Sequence, residues 1–145
     1  MFKVKIPATT ANLGPGFDTF GMSLGLYNLI EVEKKEDGVE IELVGYGVEE
    51  LTTDKSNLVY QSMLRLFETV NYLPSGLKIK LINRIPLARG LGSSAAAIAG
   101  GLLVANKLSG EQLTREELLN LATEIEGHPD NVAPALLGGI VVSNC

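Results

Sequence analysis

The segment from residue 86 to residue 96 contains residue types that could bind an anion. It reads Pro-Leu-Ala-Arg-Gly-Leu-Gly-Ser-Ser-Ala-Ala and leads into a long apolar run. If that run is helical, its first turn leaves backbone N–H groups unpaired and carries the positive end of the helix dipole. Gly90 and Gly92 would let a phosphate group approach the backbone closely. The hydroxyls of Ser93 and Ser94 add hydrogen-bond donors or ligands for a magnesium ion, so the segment predicts a phosphate-binding loop.

Two commoner glycine motifs fit this segment less well. The Walker A motif needs a lysine directly after its second glycine, where this sequence has Ser93. The dinucleotide fingerprint G-x-G-x-x-A formally matches residues 90–95, but it must directly follow a strand and lead to a second strand with an acidic residue. Here residues 86–89 intervene, and the region about 20 residues further on has the pattern of a helix. Taken alone, such glycines and serines more often form a tight turn that caps a core helix.

Two polar segments elsewhere supply further candidate side chains. Residues 7–18 are predicted to form a loop, because their prolines and glycines oppose regular structure, and they include Asn12 and Asp18. The second segment begins at Glu126 and has the composition of a polar turn that leads into a short helix. By residue type alone, Asn12, Asp18 and His128 are most often turn or cap residues. Glu126 at a helix C-terminus opposes the helix dipole, a local exception that is typical of functional residues.

The strand pattern predicts a sheet with one solvated face. Residues 39–43 alternate perfectly between apolar and acidic side chains, as a half-buried strand does. Because Asp37-Gly38 is a turn signal, this strand is predicted to form a hairpin with the one before it. The predicted strands are 4–6, 24–34, 39–43, 77–82 and 140–143. The strand 77–82 must stop before Pro86, because proline cannot donate a backbone hydrogen bond to a neighbouring strand.

The helix pattern is equally regular. The segment 93–108 is apolar on nearly every face, which predicts a buried central helix, and Gly100-Gly101 indicates close packing there. Thr114 and Glu117 form a capping box. The predicted helices are 58–70, capped by Ser56 or Asn57; 93–108; 115–125, ending at Gly127; and a short helix that follows the polar turn 127–134.

Composition and charge exclude several classes of function. The chain has 145 residues, a net charge of −5 and no cluster of lysine or arginine, which excludes a nucleic-acid partner. The single cysteine, Cys145, cannot form an internal disulfide. The N-terminus lacks the apolar run of a signal peptide, and the longest apolar stretch is too short to cross a bilayer. These observations predict one cytoplasmic domain with no membrane partner.

Three motifs in order resemble those of a known superfamily. The segment 86–96 resembles the phosphate-binding motif of the galactokinase, homoserine kinase, mevalonate kinase and phosphomevalonate kinase superfamily. Residues 7–18 look like the first motif of homoserine kinases, and residues 126–135 look like their substrate and metal segment. The resemblance implies an α+β fold of the ribosomal protein S5 domain 2-like type, with a mixed sheet covered by helices. It also implies that residues 1–145 are an N-terminal nucleotide-binding domain, and that a C-terminal ferredoxin-like domain is absent from this chain.

The resemblance also implies a reaction, the phosphorylation of L-homoserine by ATP in threonine biosynthesis. Asn12 and Asp18 would meet the substrate hydroxyl as the catalytic pair, orienting it rather than acting as a dedicated base. His128, Asp130 and Asn131 would lie near the amino acid's ammonium and carboxylate, with Asp130 as the better ammonium partner. Glu126, Ser93 and Ser94 are the candidate Mg²⁺ ligands. The implied ATP-binding residues are Pro86, Leu87, Ala88, Arg89, Gly90, Leu91, Gly92, Ser93, Ser94, Ala95 and Ala96.

Two alternatives stay open beside this interpretation. The chain could belong to a kinase of another small alcohol such as mevalonate, although the first and third motifs argue against that. It could also be an inactive nucleotide-binding fragment, because the resemblance covers only about half of a family member. A homodimer is left open for the full-length protein.

Overall fold

The computed structural model describes residues 1–11, 21–86, 90–137 and 141–144. Within these residues the chain alternates between one sheet and a layer of helices. The elements are β1 (Phe2–Ala11), β2 (Gly21–Lys34), β3 (Gly38–Gly45), α1 (Leu58–Val70), β4 (Gly76–Asn83), α2 (Ser93–Leu108), α3 (Arg115–Glu126), α4 (Val132–Leu137) and β5 (Val141–Asn144).

The strands form one mixed sheet in the order β3-β4-β2-β1-β5. The β1–β2, β1–β5 and β2–β4 pairs are antiparallel, whereas β3 and β4 run parallel. Parallel neighbours need a crossover connection, which α1 provides between β3 and β4. A mixed sheet covered by helices confirms the predicted α+β class.

The predicted hairpin between the second and third strands is wrong. β4 lies between β2 and β3, so these two strands do not pair. Leu77, Ile79 and Leu81 of β4 are almost completely buried, whereas β3 alternates between exposed and half-buried residues. The more apolar strand therefore takes the interior position, and the acidic alternating strand takes the edge, where charged side chains stay in water.

The prediction that residues 7–18 form a loop is wrong for residues 7–11, which continue β1 and pair with β2 as far as Ala11. Residues 12–18 lie outside the described residues. Pro7 lies within this strand, where it pairs with Tyr27 of β2.

The core lies between the sheet and α2, which is buried along most of its length as predicted. Gly100 and Gly101 mark close contacts, because a Cβ on Gly100 would lie 2.3 Å from Ile30 Cδ1 and one on Gly101 would lie 2.5 Å from the carbonyl oxygen of Val59. The close packing predicted from these glycines is confirmed.

The predicted helix ends are also confirmed. Asn57 caps α1 by accepting a hydrogen bond from the N–H of Val59 at 2.9 Å. Thr114 and Glu117 form both bonds of the capping box of α3, and Gly127 ends that helix with φ +98°.

Among the described residues, no helix has the length and apolar character needed to cross a membrane.

Candidate functional site

The N-terminus of α2 is the centre of the candidate site. The helix begins at Ser93, directly after Gly92, whose φ of +71° is left-handed. The first hydrogen bond of the helix runs from the N–H of Ala96 to the carbonyl oxygen of Gly92, at 2.9 Å. The N–H groups of residues 93–95 therefore have no acceptor within the helix. Ser94 is exposed, so this end is open to a ligand.

The loop before α2 is in direct contact with β1. The backbone N–H of Thr9 donates to the carbonyl oxygen of Leu91 at 2.9 Å. A Cβ at Gly92 would lie only 2.1 Å from Thr9 Oγ1, so residue 92 must be a glycine for both its φ and its surroundings. Gly90 also has a left-handed φ, of +69°, but none of the described residues lies within 4 Å of a Cβ added there. The strand and the loop thus fix each other at the start of α2.

Ser94 and Glu126 form a hydroxyl–carboxylate pair beside this helix end. The Oγ of Ser94 donates to Oε2 of Glu126 at 3.1 Å, which joins the first turn of α2 to the last residue of α3. Within the described part of the chain, no group of three or more His, Cys, Asp or Glu residues could hold a metal ion. One carboxylate and one hydroxyl suit Mg²⁺ when phosphate oxygens and water supply its other ligands. Ser94 is the better candidate for a Mg²⁺ ligand than Ser93, because the observed hydrogen bond to Glu126 comes from Ser94.

The turn between α3 and α4 brings the third motif to the same place. Asn131 Oδ1 accepts a hydrogen bond from the hydroxyl of Thr9 at 2.9 Å. His128 Nδ1 lies 3.7 Å from Asp130 Oδ1, with the histidine side chain 53% exposed and the aspartate only 10% exposed. The carbonyl oxygens of Pro129 and Asn131 accept the N–H groups of the first turn of α4, which holds this turn in place.

The structure therefore brings together residues from all three motifs, with Thr9 as the described contribution of the first. The residues at the start of α2, Glu126 and Asn131 are joined through Ser94 and Thr9. Ala95 and Ala96, which were also predicted to bind ATP, are buried. The predicted catalytic pair, Asn12 and Asp18, and the predicted ATP-binding residues Leu87, Ala88 and Arg89 lie outside the described residues.

A cleft beside α2 was not predicted from the sequence. It has a volume of about 170 Å³ and extends from Ser93 and Ser94 between α2, α1 and the strands β2 and β4. Its walls are mainly apolar, and asparagines stand among them. The apolar lining residues include Ile30, Leu51, Leu58, Leu81, Ala96 and Ala97, and the asparagines are Asn28, Asn57 and Asn83.

All three asparagines are held by backbone contacts, and Asn83 Nδ2 donates to the carbonyl oxygen of Tyr46 at 3.2 Å. Asn28 Oδ1 accepts the N–H groups of Arg84 and Ile85 at 2.6 and 2.9 Å, and Asn57 caps α1. The cleft is thus bounded by fixed asparagine side chains next to a helix end suited to phosphate.

Outside the cleft, on the segment that leads into α1, the hydroxyl and the N–H of Ser56 donate to the Asp54 carboxylate, which lowers the pKa of Asp54.

Comparison with known families assigns this arrangement. Residues 57–139 match the family model described as the GHMP kinases N terminal domain. The chain belongs to this family. The matched range includes α1, β4, α2, Glu126 at the end of α3, and Asn131, which together form much of the helix-end site and the cleft.

Curated relatives are closely similar over the whole chain. It is 58% identical over 143 residues to the homoserine kinase of Carboxydothermus hydrogenoformans, covering 99% of this chain and 47% of that protein. It is 54% identical over 144 residues to the homoserine kinase of Petrotoga mobilis, again covering 99% of this chain and 47% of the relative. The chain therefore spans about half the length of the curated relatives it matches.

Solved structures share the fold. A homoserine kinase from Cytophaga hutchinsonii superposes with a TM-score of 0.79 at 38% identity, over 97% of this chain and 47% of the other. The mevalonate kinase of Methanococcus jannaschii superposes with a TM-score of 0.76 at 19% identity, over 97% and 52% of the two chains, which shows a common fold alone. The predicted ribosomal protein S5 domain 2-like fold is confirmed.

Proposed function

We propose that this chain is the N-terminal, nucleotide-binding domain of a homoserine kinase, which transfers the γ-phosphoryl group of ATP to the hydroxyl of L-homoserine. The observation that carries the proposal is the Ser94–Glu126 pair at the open N-terminus of α2, where phosphate and Mg²⁺ can meet. The similarity to curated homoserine kinases supports the choice of substrate.

The nucleotide would bind along α2. Its phosphates would accept hydrogen bonds from the N–H groups at the start of the helix, where the dipole favours negative charge. The base and sugar would enter the adjoining cleft, whose apolar walls and fixed asparagines suit a flat polar ring. A bound Mg²⁺ would neutralise charge on the phosphates, with Glu126 and Ser94 as its protein ligands and Ser93 as an alternative.

The amino acid would bind beside the turn between α3 and α4. Asp130 would pair with the substrate ammonium, and the Asn131 amide would donate to the carboxylate, with His128 nearby. Asn12 and Asp18 would orient the hydroxyl toward the phosphate. Phosphoryl transfer depends mainly on such positioning and on charge neutralisation, which the group of residues around α2 could supply without a dedicated base.

The remaining parts of the proposal concern the whole protein. Because the chain spans about half of its relatives, we infer that a ferredoxin-like C-terminal domain completes the enzyme. The product, O-phospho-L-homoserine, would serve threonine biosynthesis in the cytoplasm. A homodimer of the full-length protein is left open.

A coupled assay of ADP release tests the proposed reaction. The full-length protein, this chain extended to the length of its relatives, should release ADP with L-homoserine in the presence of ATP and Mg²⁺. Mevalonate and galactose at the same concentrations should give only the background rate. ADP release that does not depend on homoserine would rule out the proposed substrate, and a preference for mevalonate would favour another small-alcohol kinase.

The half-length match favours a second candidate for the chain on its own, a domain that binds Mg·ATP without turnover. Titration calorimetry of the 145-residue chain with ATP, with and without Mg²⁺, distinguishes the two cases when it is combined with the ADP assay on the same sample. Binding without homoserine-dependent ADP release would assign the chain to this second candidate.

A further inference from the structure

Thr9 connects two parts of the candidate site without belonging to either. It is completely buried on β1. Its N–H donates to the Leu91 carbonyl oxygen, its hydroxyl donates to Asn131 Oδ1, and its Oγ1 fills the space beside Gly92. One side chain is therefore in contact with the loop before α2 and with the turn before α4.

The backbone of β1 is shaped to place Thr9 there. Pro7 pairs with Tyr27 but Thr9 pairs with Ser23, so β2 contains extra residues at this point and the register shifts. Bulges of this kind redirect side chains and are common beside functional sites. The backbone N–H of Thr9 bonds to the carbonyl oxygen of Leu91 and not to a strand. The irregular pairing with β2 thus accompanies the contacts of Thr9 with both segments.

The contact with Asn131 fixes the direction of its amide group. A hydroxyl that donates to Oδ1 holds the oxygen of the amide toward Thr9, at 2.9 Å. The NH₂ group stands at the other end of the planar amide and keeps its two donors for another acceptor. A carboxylate, which only accepts hydrogen bonds, is the matching ligand.

We propose that Thr9 is a positioning residue for the amino-acid substrate. Its hydroxyl sets the Asn131 amide so that the nitrogen faces the substrate carboxylate, while its buried side chain and N–H keep the Gly92 turn at a fixed distance from that amide. The inference rests on the proposed function, because it assigns Asn131 to the substrate carboxylate. Thr9 itself touches neither the amino acid nor the nucleotide.

Kinetics of Thr9 variants in the full-length protein test this assignment. Thr9→Val keeps the backbone N–H and the buried shape but puts a methyl group beside Asn131 Oδ1. The KM for homoserine should rise by roughly five- to tenfold, the loss of one hydrogen bond's net contribution, while the KM for ATP stays within about twofold. Thr9→Ser, which keeps the hydroxyl, should restore the homoserine KM to within about twofold of wild type.

Thr69→Val is the matched control, because it removes a hydroxyl that bonds to a carbonyl of its own helix, that of Arg65 at 2.8 Å. It should change neither KM. An unchanged homoserine KM in Thr9→Val would overturn the inference. Equal rises in both KM values, or a failure of Thr9→Ser to restore the homoserine KM, would show that Thr9 acts only in packing.

Asn131→Asp tests the same idea without changing Thr9, in case Thr9→Val does not fold. The aspartate can still accept from the Thr9 hydroxyl, so the thermal midpoint should stay near that of wild type. Its second oxygen would face the substrate carboxylate in place of the NH₂ group, so the homoserine KM should rise at least about tenfold. Wild-type homoserine kinetics in Asn131→Asp would contradict the assignment.

Failure of the proposed function can be distinguished from failure of the inference about Thr9. If the wild-type protein releases no ADP with homoserine, that function is wrong, and NMR of this chain decides whether the Thr9 contact exists. The side-chain amide signals of Asn131, identified by their loss in Asn131→Asp, should move in Thr9→Val and keep their positions in Thr9→Ser. Signals that stay unmoved in Thr9→Val would overturn the positioning role.

Discussion

Gly92 is the residue at which backbone conformation and the proposed phosphate site coincide. It needs a φ of +71°, and a Cβ there would lie 2.1 Å from Thr9 Oγ1. Gly92→Ala should therefore destabilise the chain by about 3 kcal/mol, the sum of the left-handed strain and a steric clash in a buried contact. Urea unfolding measures the loss of stability, and titration calorimetry should show weakened ATP binding.

Gly90→Ala is the control for this change. Its φ of +69° imposes the same backbone strain, but no heavy atom of the described residues lies within 4 Å of the added Cβ. We expect a loss of about 1 to 2 kcal/mol. Equal losses of stability in the two variants would show that the contact between Gly92 and Thr9 is not tight.

Glu126 should act through Mg²⁺. Glu126→Gln removes the charge that would help to hold the ion beside Ser94, so the affinity for Mg·ATP should fall by about tenfold or more. Binding of ATP without metal should not weaken, since a carboxylate repels the phosphates when no ion lies between them. Calorimetric titrations with and without Mg²⁺ measure both affinities.

Glu124→Gln is the matched control, since Glu124 lies on the same helix but is exposed and pairs with Arg65 at 3.4 Å. Its Mg·ATP affinity should equal that of wild type. If Mg²⁺ raised the ATP affinity of Glu126→Gln as much as that of wild type, Glu126 would not be a Mg²⁺ ligand.

At the scale of the elements, the packing of α2 predicts a difference between two adjacent glycines. A Cβ on Gly101 would meet the backbone oxygen of Val59 at 2.5 Å, whereas one on Gly100 would meet the flexible end of Ile30 at 2.3 Å. Gly101→Ala must separate α1 from α2 and should cost about 2 to 3 kcal/mol. Gly100→Ala should cost less, because a side chain can turn and alanine favours the helix by about 1 kcal/mol. Urea unfolding of the two variants compares them, and a larger loss for Gly100→Ala would contradict the packing described for α2.

The helices could be predicted from the sequence because their signals are local. The cap at Asn57, the capping box of Thr114 with Glu117, and Gly127 each act within a few residues, and each is found where it was predicted. The strands themselves were also recognisable from their alternation. What alternation does not contain is the identity of the neighbouring strand.

Strand pairing is where the local signals failed. Asp37-Gly38 has the composition of a hairpin turn, yet the chain leaves β3 through α1 and returns as β4 between β2 and β3. The outcome is decided by burial across the sheet, since β4 has more apolar surface to cover. In the same way, Pro7 indicated a loop, although residues 7–11 continue β1 and pair with β2.

At the scale of the whole molecule, the site is an assembly of distant segments. Thr9 and Asn131 are 122 residues apart in the chain, and Ser94 and Glu126 are 32 apart. The motifs indicated which residues could take part, but neither contact could be predicted from their spacing. The cleft was missed for a related reason, because its walls come from two strands, two helices and a connecting segment, each of which contributes only two to four ordinary residues.

Residue-resolved NMR of the isotopically labelled chain, titrated with a non-hydrolysable ATP analogue and Mg²⁺, tests whether the N-terminus of α2 binds the phosphates of ATP. We expect the backbone amide signals of Gly92, Ser93 and Ser94 to shift with the analogue, together with those of cleft residues such as Ala97. Adenosine, which lacks phosphates, should move the signals of the cleft residues and leave those at the start of α2 nearly in place. Amide signals at the start of α2 that stay unmoved when the analogue saturates the chain would contradict the claim that this helix end binds the phosphates.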